Sequence, residues 1–285
     1  MGILGAGKAN GACSLLHAAG LGYGASLALD LPLAVRLLDT PWKEEPEDPD
    51  NLLGAVLDAW RGAGHPLPGE ELHWAVISKI PPKQGLKSSS ALCVAAFRAL
   101  MEATDVTIDN AEIVNLSAVA QINANVSLTG SFDDTWACIE GGWKLIDINA
   151  EDPQSGVLLE SPGPDTNEWD VTIMVSEPRL NPLSLEDFVP HQEDFIQSLN
   201  AIQEGNEMVA MTWNGRAMLG VTKKMSLRRV VNDAYMNGAR AASISGSGNA
   251  VVVFTTSISP QTKQRVRTML ERIPNSEIIE TKVIN

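Results

Sequence analysis

Apolar and polar residues alternate most regularly between positions 26 and 38, where Leu27, Leu29, Leu31, Leu33, Val35 and Leu37 share one face. A period of two predicts a half-buried strand. Pro32 within it has no N–H to give to a ladder, which predicts a sheet edge or a bulge there. The polar, proline-rich TPWKEEPEDPDN that follows reads as a loop. The pattern then predicts a helix over 51–61 and a strand over 73–80 that stops at Pro81-Pro82. Ser88–Thr104 is apolar nearly all round, as a buried helix is. Asp109 with Glu112 three residues on fits a capping box for a helix reaching about Val126. A loop opens at Thr129-Gly130, and 143–148 reads as a strand.

The segment 149–167 is rich in Pro, Gly, Asp and Ser. It marks the expected boundary between two domains, 1–155 and 156–285. Beyond it the pattern predicts a strand at 170–176 and two or three helices between 191 and 238. A Gly/Ser loop, a strand at 250–254, a helix at 261–273 and a strand at 277–283 complete the chain. Strands and helices that do not strictly alternate predict α+β layers rather than a doubly wound sheet.

Composition narrows the classes. At 285 residues and 44% hydrophobic the chain can bury an ordinary core. No apolar run reaches the roughly 18 residues of a membrane span, and MGILGAGKANG lacks the pattern of a signal peptide. A cytoplasmic protein is expected. Cys13, Cys93 and Cys138 are odd in number and far apart, so reduced buried thiols are expected rather than disulfides or a zinc knuckle. The four histidines form no His-x-x-x-His pair. A net charge of −14 argues against nucleic acid or an anionic membrane as partner. An anionic ligand would need local lysines, backbone N–H groups and a divalent cation.

Three motifs carry candidate chemistry. In PPKQGLKSSSA, positions 81–91, Gly85 allows close backbone approach between a strand and a buried helix. The first turn of that helix offers unpaired N–H groups and a positive dipole end, a phosphate site. A helix cap needs one Ser; Ser88, Ser89 and Ser90 with Lys87 exceed that need. SISGSGNAVVVF, 243–254, is a second glycine loop, which alone would read as a flexible turn. TGSFDDTWACIEGG, 129–142, places two carboxylates in an expected loop, able to bind metal or act as a base, or simply to be solvated. Neighbouring side chains on such a backbone diverge, so one of the two is expected to face a reacting group. Gly2 to Lys8 imitates a P-loop, but Ala9 stands where Ser or Thr is required and only Met1 precedes it.

In this order the motifs resemble the galactokinase–homoserine kinase–mevalonate kinase–phosphomevalonate kinase (GHMP) superfamily. Pro81, Gly85, Leu86, Ser88, Ser89 and Ala91 match its P-x-x-x-G-L-G-S-S-A-A. Lys87 replaces the usual Gly, and GLKSSSA is similar to the form in archaeal-type shikimate kinases. GKANGACSLLHAAGLGYGASLALDL resembles the N-terminal strand and Gly-rich turn, AMTWNGRAM the AM-x-x-NG segment, and GARAASISGSGNAVVVF the C-terminal glycine motif. The similarity spans essentially the whole chain.

The resemblance implies an N-terminal domain with a left-handed βαβ crossover and a ferredoxin-like C-terminal domain. It implies ATP, with its phosphates on Pro81, Pro82, Lys83, Gly85, Leu86, Lys87, Ser88, Ser89, Ser90 and Ala91, and Mg²⁺ on Ser89. Asp133 is implied as the base, with Asp134 the alternative. Lys87 would neutralise phosphate, and Lys8 would lie near the acceptor. The implied acceptor is the 3-hydroxyl of shikimate. A homoserine or mevalonate kinase, or a nucleotide-binding module without catalysis, are the alternatives. Shikimate's carboxylate calls for a cation, with Arg216, Lys223, Lys224 and Arg240 as candidates. Two departures stand out: Gln121, Ile122 and Asn123 occupy the stretch where some members have a metal-binding Glu, and Asn249 replaces a frequent Pro. The second is expected to matter little.

Overall fold

The computed structural model describes residues 2–43, 45–178 and 182–285. Two antiparallel sheets organise the chain. The first contains β1 (Ile3–Leu16), β2 (Tyr23–Leu38), β3 (His73–Ser78), β4 (Trp143–Asp147) and β5 (Val157–Ser161). Its order is β1-β2-β4-β5, with β3 also paired to β2. β2 is long enough to hold β1 on one edge and two strands on the other, β4 along 23–27 and β3 along 33–38. Pro32 lies in the gap between those two partners. On the other edge the register with β1 slips beside it, from Asn10 opposite Pro32 to Ala12 opposite Ala28. The missing N–H therefore falls at a bulge, and β2 is a central strand rather than an edge.

Helices α1 (Leu52–Gly62), α2 (Ser88–Thr104), α3 (Asn110–Asn123) and α4 (Phe132–Ile139) pack with this sheet. α2 is the buried helix that its apolar circumference predicts, with residues such as Ala91, Val94, Ala95 and Phe97 inaccessible. It lies directly on β1. A Cβ on Gly5 would come 2.1 Å from the Ala99 carbonyl oxygen, and one on Gly7 1.9 Å from that of Ala95. Gly5, Gly7, Ala9 and Gly11 alternate along β1, so they share the face under the helix. Gly7, the second glycine of the imitated P-loop, is thus a seat for helix backbone within a strand.

The second sheet contains β6 (Trp169–Val175), β7 (Ala241–Ile244), β8 (Val251–Thr256) and β9 (Glu277–Thr281), ordered β7-β8-β6-β9 and antiparallel throughout. Helices α5 (Gln192–Gln203), α6 (Glu207–Thr222) and α7 (Met225–Met236) connect β6 to β7, and α8 (Pro260–Leu270) connects β8 to β9. That connectivity and strand order is ferredoxin-like. The chain is α+β, as expected. The expected linker 149–167 contains β5, which pairs with β4. The C-terminus also returns to the first sheet, where Val283 bridges Leu29 and the Ile284 N–H donates to the Ala28 carbonyl. Among the described residues no helix is long and apolar enough to cross a membrane. The three cysteines are buried free thiols.

Candidate active site

The loop after β3 ends at Lys87, which caps α2 in the left-handed conformation (φ 66°). Gly85, at φ 79°, sits so close to the second glycine loop that a Cβ there would meet the Ser245 carbonyl oxygen at 1.9 Å. Hydrogen bonds close this seam: Ser245 Oγ donates to the Gly85 carbonyl at 2.8 Å, and the Ala250 N–H to the Gln84 carbonyl at 3.2 Å. Two distant glycine loops thereby form one wall.

That wall borders a pocket of about 150 Å³ that collects all three motifs. Lys87, Ser88, Ser89 and Ser90 come from the first, Gly246 and Ser247 from the second, Asp133 and Asp134 from the third. The first turns of α2 and α4 both face it, so two helix N-termini supply unpaired N–H groups and positive dipole ends. The hydroxyls of Ser88 and Ser89 have no protein hydrogen-bond partner among the described residues. Ser90 Oγ donates to Gln121 Oε1 at 3.2 Å.

The pocket's charges are unevenly paired. Lys87 Nζ lies 2.7 Å from Asp134 Oδ1 and donates to Ser14 Oγ at 2.7 Å, with its side chain only 6% exposed. Ser26 Oγ donates to Asp134 at 2.8 Å and approaches Asp133 at 3.3 Å. Among the described residues no cation is bonded to Asp133, which is 4% exposed. It fits because β2 carries Gly24 opposite it; a Cβ there would come 2.5 Å from the Asp133 Cγ. Burial, reinforced by the neighbouring Asp134 charge, pushes the Asp133 pKa well above the usual carboxylate range. Burial also opposes ionisation of Asp134, but Lys87 and the Ser26 hydroxyl outweigh it and hold that pKa low. Burial works against the Lys87 charge too, and the two aspartates outweigh it, so its pKa is raised.

Asp133 and Asp134 do not lie in a loop. They occupy the first turn of α4, whose cap Ser131 is left-handed (φ 56°), and helical geometry lets both line the pocket. The expected loop is thus a helix, and both carboxylates reach the same pocket. Of the ten residues expected to hold phosphate, Gly85, Lys87, Ser88, Ser89 and Ser90 line the pocket. Leu86 and Ala91 are buried core anchors, and Pro81, Pro82 and Lys83 frame the loop outside the lining. Lys8 is also outside: its side chain is exposed on β1, and its carbonyl accepts from Arg98. Nor do Arg216, Lys223, Lys224 or Arg240 line the pocket. Arg216 pairs with Asp194 and stacks on Trp213, and Lys223 pairs with Asp187.

Several lining or supporting residues have places in the site that the sequence did not give them. Gln121 is buried where the metal-binding Glu was missed, its amide shared between Ser90 and Thr135. His17 lines the pocket, with its N–H held at 2.9 Å by Asn214 Oδ1, from the AMTWNG segment on α6. Asn249 is not incidental: it is buried, and its amide donates to the Glu177 carbonyl at 2.7 Å. Ser14, Ser26 and Gly24 left only a weak signal, small residues within apolar strands.

Residues 51–142 match the GHMP kinases N terminal domain family. Similar curated proteins include the shikimate kinase of Pyrococcus abyssi, 32% identical over 153 residues, with 50% of this chain and 55% of that protein covered. That of Methanothrix thermoacetophila is 32% identical over 186 residues, covering 64% and 60%. That of Methanosarcina mazei is 28% identical over 256 residues, covering 84% and 80%. The chain thus spans little more than half the length of the first two relatives. Among solved structures, mevalonate kinase from Methanococcus jannaschii superposes with a TM-score of 0.75 at 14% identity, covering 98% of both chains. Galactokinase from Lactococcus lactis gives 0.73 at 13%, covering 99% and 94%, and homoserine kinase from Cytophaga hutchinsonii 0.65 at 18%, covering 98% and 95%. At these identities the likeness is one of fold.

Proposed function

We propose that this chain, which carries the GHMP kinase N-terminal domain and the GHMP kinase fold, transfers the γ-phosphoryl of ATP to the 3-hydroxyl of shikimate. One observation carries the kinase reading. A buried lysine from a glycine–serine loop pairs with Asp134, beside the buried Asp133, in a pocket faced by two helix N-termini. The choice of shikimate is supported by the names of the relatives and by GLKSSSA.

In this reading the units 1–155 and 156–285 hold the substrates between them. The first-turn N–H groups of α2 and the Ser88 and Ser89 hydroxyls receive phosphate oxygens. Lys87 lies where charge develops on the transferred group, and Asp134 keeps that lysine charged and in place. Asp133, whose burial and the neighbouring Asp134 charge raise its pKa and so its basicity, takes the proton of the acceptor hydroxyl. Among the described residues no cluster of three His, Cys, Asp or Glu could hold a metal. Ser89 Oγ, a lining hydroxyl, would be the protein ligand for Mg²⁺ arriving with the nucleotide, since Mg²⁺ takes one or two protein ligands plus phosphates and water. Mg²⁺ would supply charge neutralisation on the phosphates. The acidic chain with three free thiols fits a reducing cytoplasm.

A coupled assay of ADP release with ATP, Mg²⁺ and a panel of shikimate, homoserine, mevalonate and galactose tests the proposal. Shikimate should be turned over far faster than the rest. A preference for another acceptor would overturn the substrate, and ATP binding without turnover on any acceptor would leave only a nucleotide-binding module.

A further inference from the structure

A second cavity, about 790 Å³, opens at the end of the ferredoxin-like sheet and shares no lining residue with the catalytic pocket. Its size is that of a small-molecule site, ~300–1,000 Å³. Met174, Leu227 and Val230 form a buried apolar floor, with Met269 and Ile273 beside them. The rim is basic on a chain of net charge −14. Lys224, Arg229 and Arg272 stand there against Glu177 and Asp233. Arg229 is engaged with Asp233 at 3.7 Å, whereas Lys224 and Arg272 have no ion-pair partner among the described residues. An apolar floor under two uncommitted cations is complementary to an anion with an apolar body.

The cavity is also tied to the phosphate loop. Its wall residues Ser176 and Glu177, just past β6, present consecutive carbonyls to two buried amides. Gln84 of the phosphate loop donates to Ser176, and Asn249 of the second glycine loop donates to Glu177. Each amide leaves its own oxygen, Gln84 Oε1 and Asn249 Oδ1, buried without a partner among the described residues. A buried acceptor with no donor marks a place where the packing is not fully satisfied in the arrangement seen. Both orphans lie on the seam between cavity and catalytic loops.

We infer that this cavity is an effector site for a small amphipathic anion, coupled to nucleotide binding through the Gln84–Ser176 and Asn249–Glu177 contacts. The nucleotide arm of its test rests on the proposed ATP site; the binding arm does not.

The probe is 8-anilinonaphthalene-1-sulfonate, an anion with an apolar body, titrated into the intact protein by fluorescence and calorimetry. One probe should bind per chain. Lys224→Glu with Arg272→Glu, both on the cavity rim and outside the catalytic pocket, should weaken it at least tenfold and leave turnover without probe unchanged. Saturating ATP should shift the probe's affinity at least threefold without expelling it, since coupling is reciprocal. Asn249→Ala should keep probe binding and lose that shift. Absent or non-stoichiometric binding, binding indifferent to the double charge reversal, or simple displacement by ATP would each overturn the site. A probe affinity unmoved by ATP in a protein that demonstrably binds ATP would overturn the coupling. If ATP does not bind at all, the proposed function fails, and the site is then decided by stoichiometry and charge reversal alone.

Discussion

Asp133 and Asp134 are adjacent and chemically identical, yet their neighbours drive them in opposite directions. Asp134 has Lys87 and Ser26; Asp133 has burial and the charge of Asp134. The folded pKa of Asp133 lies above its unfolded value, about 3.9. The stability it contributes is therefore present below that value and lost as pH rises through the folded pKa. Asp133→Asn removes a strained charge, so it should raise the melting temperature near neutral pH, with the gain shrinking on acidification. Turnover should nonetheless fall by about 10²–10⁴. In the unmodified protein, turnover should decline as pH falls through the raised Asp133 pKa. Asp134 has the opposite sign: its contribution is present above the unfolded pKa and lost as pH falls through the lowered folded value. Asp134→Asn strands a buried Lys87, costing on the order of 3 kcal/mol, with a smaller loss of turnover, ~10-fold. Paired melting and kinetic measurements decide the roles: a larger kinetic loss in Asp134→Asn would make that residue the base. Lys87→Ala should reduce kcat more than it raises the KM for ATP, because backbone N–H groups still hold the phosphates. Unchanged kinetics would remove Lys87 from the account.

At the scale of elements, close packing between backbones sets the geometry of the site. Gly7→Ala places a Cβ into the Ala95 carbonyl and should cost about 1–3 kcal/mol or more, read as a lowered melting temperature. Ala9→Ser, which completes the P-loop pattern, should not improve ATP binding, because those residues lie within β1. Gly24→Ala should lower kcat while leaving both carboxylates in the chain, since its Cβ claims the space of Asp133; full activity would show that Asp133 is free to move. The same packing explains which elements could be read in the sequence. α2 was legible to the residue because its apolar circumference and serine start are local signals. β1 was not legible as a pattern, because Gly5, Gly7 and Gly11 stand where apolar side chains would mark the buried face. α4 is eight residues long and follows a left-handed Ser131, which together read as a loop. β5 exposes Leu158 and Leu159 on an outer strand, inside a segment with the composition of a linker. Of the site, the loop residues were legible from Gly and Ser composition. His17, Ser14, Ser26 and Gln121 were not, because only tertiary packing brings them to the pocket.

For the whole molecule, the phosphate loop depends on both sheets. It leaves β3 of the first, and it is zipped to the glycine loop that enters β8 of the second. The returning C-terminus adds a second tie, at Ala28 and Leu29. Anion binding at the pocket should therefore stabilise the chain as one unit, with ATP raising the melting temperature in a single transition. Identifying the product decides what the pocket does. The protein is incubated with ATP, Mg²⁺ and shikimate, and the mixture is followed by phosphorus NMR and mass spectrometry. Equimolar ADP and shikimate carrying one phosphoryl group on its 3-hydroxyl should form, with formation slowed by about 10²–10⁴ in Asp133→Asn. Intact shikimate alongside free phosphate, or unreacted ATP in the presence of bound nucleotide, would contradict it.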